Sequence, residues 1–182
     1  MSVKQLASLQ ASVVRAARAH FIYVGVFAAL IVVSDAWHLI TPSVVLQRWT
    51  VAAIMLIVIA GVWYAARGKS SSARYYHWLV CTLVVLDTLV ASYVVFTTRG
   101  IARRGVAVFA IPIITAAVLR SRVAPFAAAA FATAAYTTAG IAYFVVHPGE
   151  AYKVELYAEL GFYSALFFVM AALLWTVNRA HK

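Results

Sequence analysis

The sequence predicts an all-α polytopic membrane protein, with six transmembrane helices in an antiparallel bundle and both termini cytoplasmic. Three observations carry that prediction. Of 182 residues, 65% are hydrophobic and 11% charged, against roughly 45–50% and 25% in soluble domains. The mean hydropathy is +0.93. The apolar residues are gathered into blocks separated by short polar loops, and a helix needs about 20 such residues to cross a ~30 Å hydrocarbon core. Disorder is excluded, because disordered segments are poor in apolar residues. A single cysteine excludes a disulfide scaffold and a cysteine-rich metal centre. The net charge of +10 would suggest nucleic acid in a soluble domain. Here the Lys and Arg residues are spread through the loops, so topology accounts for them and no nucleic-acid partner is expected.

Residues 1–19 form the first segment. Val3, Leu6, Leu9, Val13 and Ala17 recur at helical spacing, interleaved with Lys4, Arg15 and Arg18. They read as an amphipathic helix on the inner leaflet, or as a plain extension of the first span. Residues 20–182 form the six-helix domain, with spans at about 20–40, 44–66, 76–98, 105–119, 123–146 and 155–178. Short connections make sequential helices antiparallel neighbours. The fourth span is short and contains Pro112, which bends it or ends its regular bonding, so it reads as half-embedded or crossing. The fifth is rich in alanine, including Ala127–Ala130, Ala132, Ala134, Ala135 and Ala139. Ala135 with Ala139, and Gly161 with Ala165 in the sixth span, make small-xxx-small pairs. These pairs suit helix packing within the bundle or a homodimer contact.

Orientation follows from the basic residues. With a cytoplasmic N-terminus, Lys4, Arg15, Arg18, Arg67, Lys69, Arg74, Arg120, Arg122, Arg179 and Lys182 lie inside, and Arg48, Arg99, Arg103, Arg104 and Lys153 outside. The split is 10 to 5. All five acids, Asp35, Asp87, Glu150, Glu155 and Glu159, then fall between the midplane and the outer surface. Short loops suit a multi-pass protein of a bacterial or archaeal inner membrane.

Asp87 is the most informative residue. It sits near the middle of the third span, where an aspartate costs about 2.5–3.5 kcal/mol to insert. Its one-turn neighbours Leu83 and Ala91 are apolar, so a partner must come from another span, and Arg48 is one candidate. The functional readings are a proton or cation site, or the polar centre of a ligand pocket. The structural reading is a polar pin between helices. Toward the outer side, Asp35 and His38 are three residues apart, and Glu155 and Glu159 four apart, with Tyr163 continuing their stripe. Together with His147 and Glu150 they form an outer-rim network with the arginines, or an anion or lipid-headgroup site. The spacing is too loose for a metal centre. Tyr136 and Tyr143 share one face of the fifth span, near Thr133, Thr137 and Thr138. These line a pocket, or the hydroxyls bond back to their own helix. The candidate ligand-binding or coupling residues are therefore Asp87, Asp35, His38, Arg48, Glu155, Glu159, Tyr163 and Tyr136. No nucleophile elbow, phosphate-binding loop or zinc-protease motif occurs. No enzyme activity and no cofactor are expected.

From the third to the fifth span the features follow a specific order. Asp87 lies in Leu-Val-Val-Leu-Asp-Thr-Leu-Val, followed by Thr-Thr-Arg-Gly-Ile at 97–101. Val-Phe-Ala-Ile-Pro-Ile-Ile at 108–114, Leu-Arg-Ser-Arg at 119–122 and Ala-Ala-Tyr at 134–136 come next. This order resembles the N-terminal six-span membrane domain of PilS-type sensor histidine kinases, over about half the chain. Thr-Arg-Gly stands where that family has Thr-Gly-Gly. The resemblance implies a membrane-embedded input domain of a two-component signalling protein, working as a homodimer. Its ligand would be a small molecule, a lipid or another membrane protein. No phosphoacceptor His box and no ATP-binding glycine boxes occur in these 182 residues, so the kinase core is lacking in this chain. The alternative is a small proton- or cation-coupled transporter using Asp87 and the outer acids.

Overall fold

A computed structural model describes residues 3–68, 70, 72–97, 104–150 and 154–180. The regular structure there is helical. The α-helices are α1 (Val3–Ala36), α2 (Pro42–Arg67), α3 (Ala73–Thr97), α4 (Ala110–Ala117), α5 (Val123–Val146) and α6 (Val154–Ala180). Five of them, all except α4, are long and apolar enough to cross a membrane. That supports an integral membrane protein. The chain forms two compact units, Met1–Leu83 and Val84–Lys182, and the division falls inside α3.

In the first unit α1 and α2 fold back on each other as a hairpin. The buried residues of α1 are Leu9, Val13, Ala17, His20, Val24 and Ile31. Those of α2 are Ala52, Met55, Ile59, Val62 and Ala66. Steps of three, four and, once on α1, seven place each set on one stripe, the pattern by which two helices interlock. The stripe on α1 continues through residue 20, where the sequence reading set a boundary, and the helix is unbroken there. Gln10 fixes the register: its Nε2 donates to the carbonyls of Ala66, in the last turn of α2, at 3.0 Å and of Gly68, its C-cap residue, at 3.3 Å. Those carbonyls have no partner within the helix, so the contact closes its end. Tyr75 and Tyr76, at the start of α3, donate to the carbonyls of Ala65 and Gly68.

Helix α1 ends on His38, whose φ is +52°. The His38 amide donates to Asp35 O at 2.9 Å and the Leu39 amide to Ser34 O at 2.8 Å. This pair of bonds is a Schellman cap, with histidine where glycine is usual. Pro42 then opens α2 at a position where its missing N–H costs nothing.

In the second unit a 3₁₀ segment, Arg104–Phe109, runs straight into α4. Pro112 is the third residue of α4, within the first turn, where its missing N–H removes no α-helical bond. Six residues at ~2.0 Å and eight at ~1.5 Å give a rod of about 24 Å, short of a ~30 Å core. Helix α4 packs on both α5 and α6, and α5 packs on α6. The core joins Ala91 and Val95 of α3, Phe109, Ile113 of α4, a face of α5, and Phe167 and Ala171 of α6. Small side chains on α5, namely Ala128, Ala129 and Ala132, are buried there and let the backbones approach closely. The small-xxx-small pairs differ in use. Ala139 is buried and Ala135 packs against the core, whereas Gly161 and Ala165 face outward.

Candidate functional site

The second unit holds the polar interior that the sequence points to. Asp87 on α3 is fully buried. The Thr115 hydroxyl on α4 donates to its Oδ2 at 2.9 Å. Most helical hydroxyls here behave otherwise. Ser34, Thr50, Thr82, Thr88, Ser92, Thr138 and Ser164 donate to the carbonyl four residues back. Thr115 reaches another helix instead, which gives Asp87 the donor a buried carboxyl group needs. Asp87 therefore finds a neutral hydroxyl within its own unit. Arg48, the candidate partner from sequence, is half-buried near the start of α2 in the first unit.

Helix α4 has a second polar link two residues on. Asn178 near the end of α6 donates from Nδ2 to the Ala117 carbonyl at 3.2 Å. That carbonyl lies at the end of α4, where it also accepts from the Arg120 amide at 3.0 Å. The Arg122 guanidinium, in the turn after α4, lies 4.7 Å from the Trp175 ring centroid on α6. One short helix thus holds Asp87 of α3 through a side chain and the end of α6 through a backbone oxygen.

An aromatic cluster lies in the same unit. The ring centroids of Phe109, Tyr136 and Phe167 are mutually 5.6–6.0 Å apart. Tyr163 meets Tyr136 edge-on at 6.3 Å. Tyr136 is fully buried, and Glu159 and Tyr163 are its electrostatic neighbours. The Oε2 of Glu159 is buried with no hydrogen-bond partner among the described residues. The structure thus brings Tyr136, Tyr163 and Glu159 together around α5 and α6.

Glu155 is exposed on the first turn of α6. Asp35 and His38 are exposed in the first unit, at the C-terminal end of α1, where His38 terminates the helix. His147 stacks on Tyr143 with centroids 4.3 Å apart. Of the residues proposed for an outer-rim network, Arg99, Arg103 and Lys153 lie outside the described residues, as do the side chains of Arg104 and Glu150. Among the described residues no three His, Cys, Asp or Glu side chains come together as a metal site.

Sequence reasoning missed Thr115, Asn178 and Phe109. Thr115 had a signal: it is the one polar side chain in the run Val106–Val118. Asn178 looked like a span terminus, and nothing in its neighbours pairs it with α4.

Compared with known proteins, the chain matches no family model, no curated protein and no solved structure. The resemblance to PilS-type sensor domains therefore rests on the residues quoted for it above.

Proposed function

We propose that this chain is the membrane-embedded input domain of a bacterial-type two-component signalling protein, with Asp87–Thr115 as its switch and α6 as its output helix. One observation carries the reading: α4 bonds Asp87 through Thr115 and bonds α6 through the Ala117 carbonyl, two residues apart. A helix of only eight residues has few internal bonds to resist a shift. A signal that favours one state of the Asp87–Thr115 contact would move the end of α4, and Asn178 would carry that shift along α6. The signal must bind one state better than the other, and a small molecule, a lipid or a neighbouring membrane protein each meets that condition. The reading includes a homodimer, six spans, cytoplasmic termini on the 10-to-5 basic split, and a bacterial or archaeal inner membrane.

The test fuses the chain to a histidine-kinase core in native membranes and follows autophosphorylation. Asp87→Asn keeps an acceptor for Thr115 but removes the ionisable group. Kinase output should change at least threefold with the helical content intact. Output equal to that of the wild-type fusion would end the assignment of Asp87 as the switch.

A second reading, a proton- or cation-coupled transporter, is favoured by Glu159, whose buried Oε2 lacks a donor. Such an oxygen is satisfied by a proton or a cation. Flux into liposomes that disappears in Glu159→Gln would establish it.

A further inference from the structure

The first unit carries a feature that signalling does not use. At the end of the α1–α2 hairpin where Gln10 meets α2, an open groove of about 480 Å³ is lined by Arg15, Arg18 and Arg67, with Ala11 and Val14 on its wall. That is within the ~300–1,000 Å³ of ligand-sized clefts. Three guanidinium groups on one cleft repel one another unless an anion joins them.

The first unit cannot supply that anion. Its single acid is Asp35. Arg18 and Asp35 are seventeen steps apart along an unbroken helix, about 25 Å at 1.5 Å per residue. That exceeds a Debye length of ~8–10 Å. The groove is nonetheless held in shape. Gln10 is committed to the carbonyls of Ala66 and Gly68, on either side of Arg67. The Arg67 guanidinium lies 3.6 Å over the Trp63 ring, and Trp63 meets Phe21 edge-on at 6.1 Å.

The level of the groove in a bilayer follows from helix lengths. Counting back ~30 Å of hydrocarbon from Ala36, about 20 residues, reaches Ala16, between Arg15 and Arg18. Counting forward from Pro42 reaches Val62, so Trp63 sits at the boundary and Arg67 about 7 Å beyond it. Trp and Arg at those depths are interfacial anchors. The groove therefore opens at headgroup level, with cationic groups on its rim and small apolar side chains on its wall. Arginine matches phosphate oxygens bidentately.

We propose that this groove binds the phosphodiester headgroup of an anionic phospholipid, with Arg15, Arg18 and Arg67 as donors and the Ala11–Val14 wall against the glycerol and upper acyl chain. The site depends on the membrane reading and not on signalling.

The test uses the full chain in neutral detergent, titrated with short-chain phosphatidylglycerol, short-chain phosphatidylcholine and inorganic phosphate. Binding is read by native mass spectrometry and intrinsic tryptophan fluorescence. Wild type should prefer phosphatidylglycerol to phosphatidylcholine at least tenfold. Arg15→Gln/Arg18→Gln, both at exposed positions, should lose at least tenfold in affinity and keep the wild-type unfolding midpoint. Arg120→Gln/Arg122→Gln, with the same change in net charge in the other unit, should retain wild-type affinity. Equal binding of the two lipids, or equal affinity in the Arg15/Arg18 variant, would overturn the site. Inorganic phosphate that binds as tightly as phosphatidylglycerol would overturn the lipid assignment in favour of a free anion.

Discussion

Thr115 and Thr138 are both threonines in apolar helices, and they do different things. Thr138 returns its hydroxyl to Ala134 O, whereas Thr115 satisfies a buried carboxyl group on another helix. Thr115→Val is nearly isosteric but leaves an Asp87 oxygen short of that donor. The expected cost is about 1–3 kcal/mol. Thr138→Val, at an exposed position, should fall within about 0.5 kcal/mol. Reversible unfolding in mixed micelles compares the two. His38 shows the limit of spacing as a guide. Three residues from Asp35, it looked like half of a polar pair. Its φ of +52° and the two cap bonds give its backbone a task that spacing does not reveal, that of ending α1. A non-glycine residue in that region is strained by roughly 1–2 kcal/mol. His38→Gly should therefore stabilise the first unit by up to about 1 kcal/mol, and a loss of stability in the same unfolding assay would contradict the cap. Asp87 itself was legible, because one acid inside an apolar run admits few explanations. Its partner was not legible, because a hydroxyl leaves no trace in charge patterning.

At the scale of elements, hydropathy was enough to find the helices. The long apolar blocks of the sequence correspond to α1, α2, α3, α5 and α6. Pro112 marked the fourth as irregular, and the structure resolves it into a 3₁₀ segment followed by an eight-residue helix. What hydropathy lacks is direction. In a span apolar on every face, lipid-facing and core-facing residues look alike, so the small side chains of α5 and the Gly161–Ala165 pair of α6 could not be told apart. Ala132 on α5 is fully buried, whereas a Cβ on Gly161 of α6 would meet nothing within 4 Å. Ala132→Leu should overpack the second unit and cost about 1–3 kcal/mol. Gly161→Leu should leave the unfolding midpoint within about 0.5 kcal/mol of wild type. If the two variants were equally stable, the packing of α5 on its neighbours would need revision.

At the scale of the molecule, the division at Leu83–Val84 lies within an apolar helix. A sequence marks such boundaries with polar or glycine-rich linkers, and here there is none to read. The acids divide unevenly: four of the five, Asp87, Glu150, Glu155 and Glu159, belong to the second unit. The account of function needs one further property, that the two polar links of α4 act as one. A double-mutant cycle of Thr115→Val and Asn178→Leu, read by unfolding in lipid micelles, measures this directly. Residues joined through a shared element couple by 0.5 kcal/mol or more, and independent ones add to within about 0.3–0.5 kcal/mol. A coupling above about 0.5 kcal/mol is the expected result. Simple additivity would mean that α4 does not connect Asp87 to α6, and the signalling route drawn through it would fail.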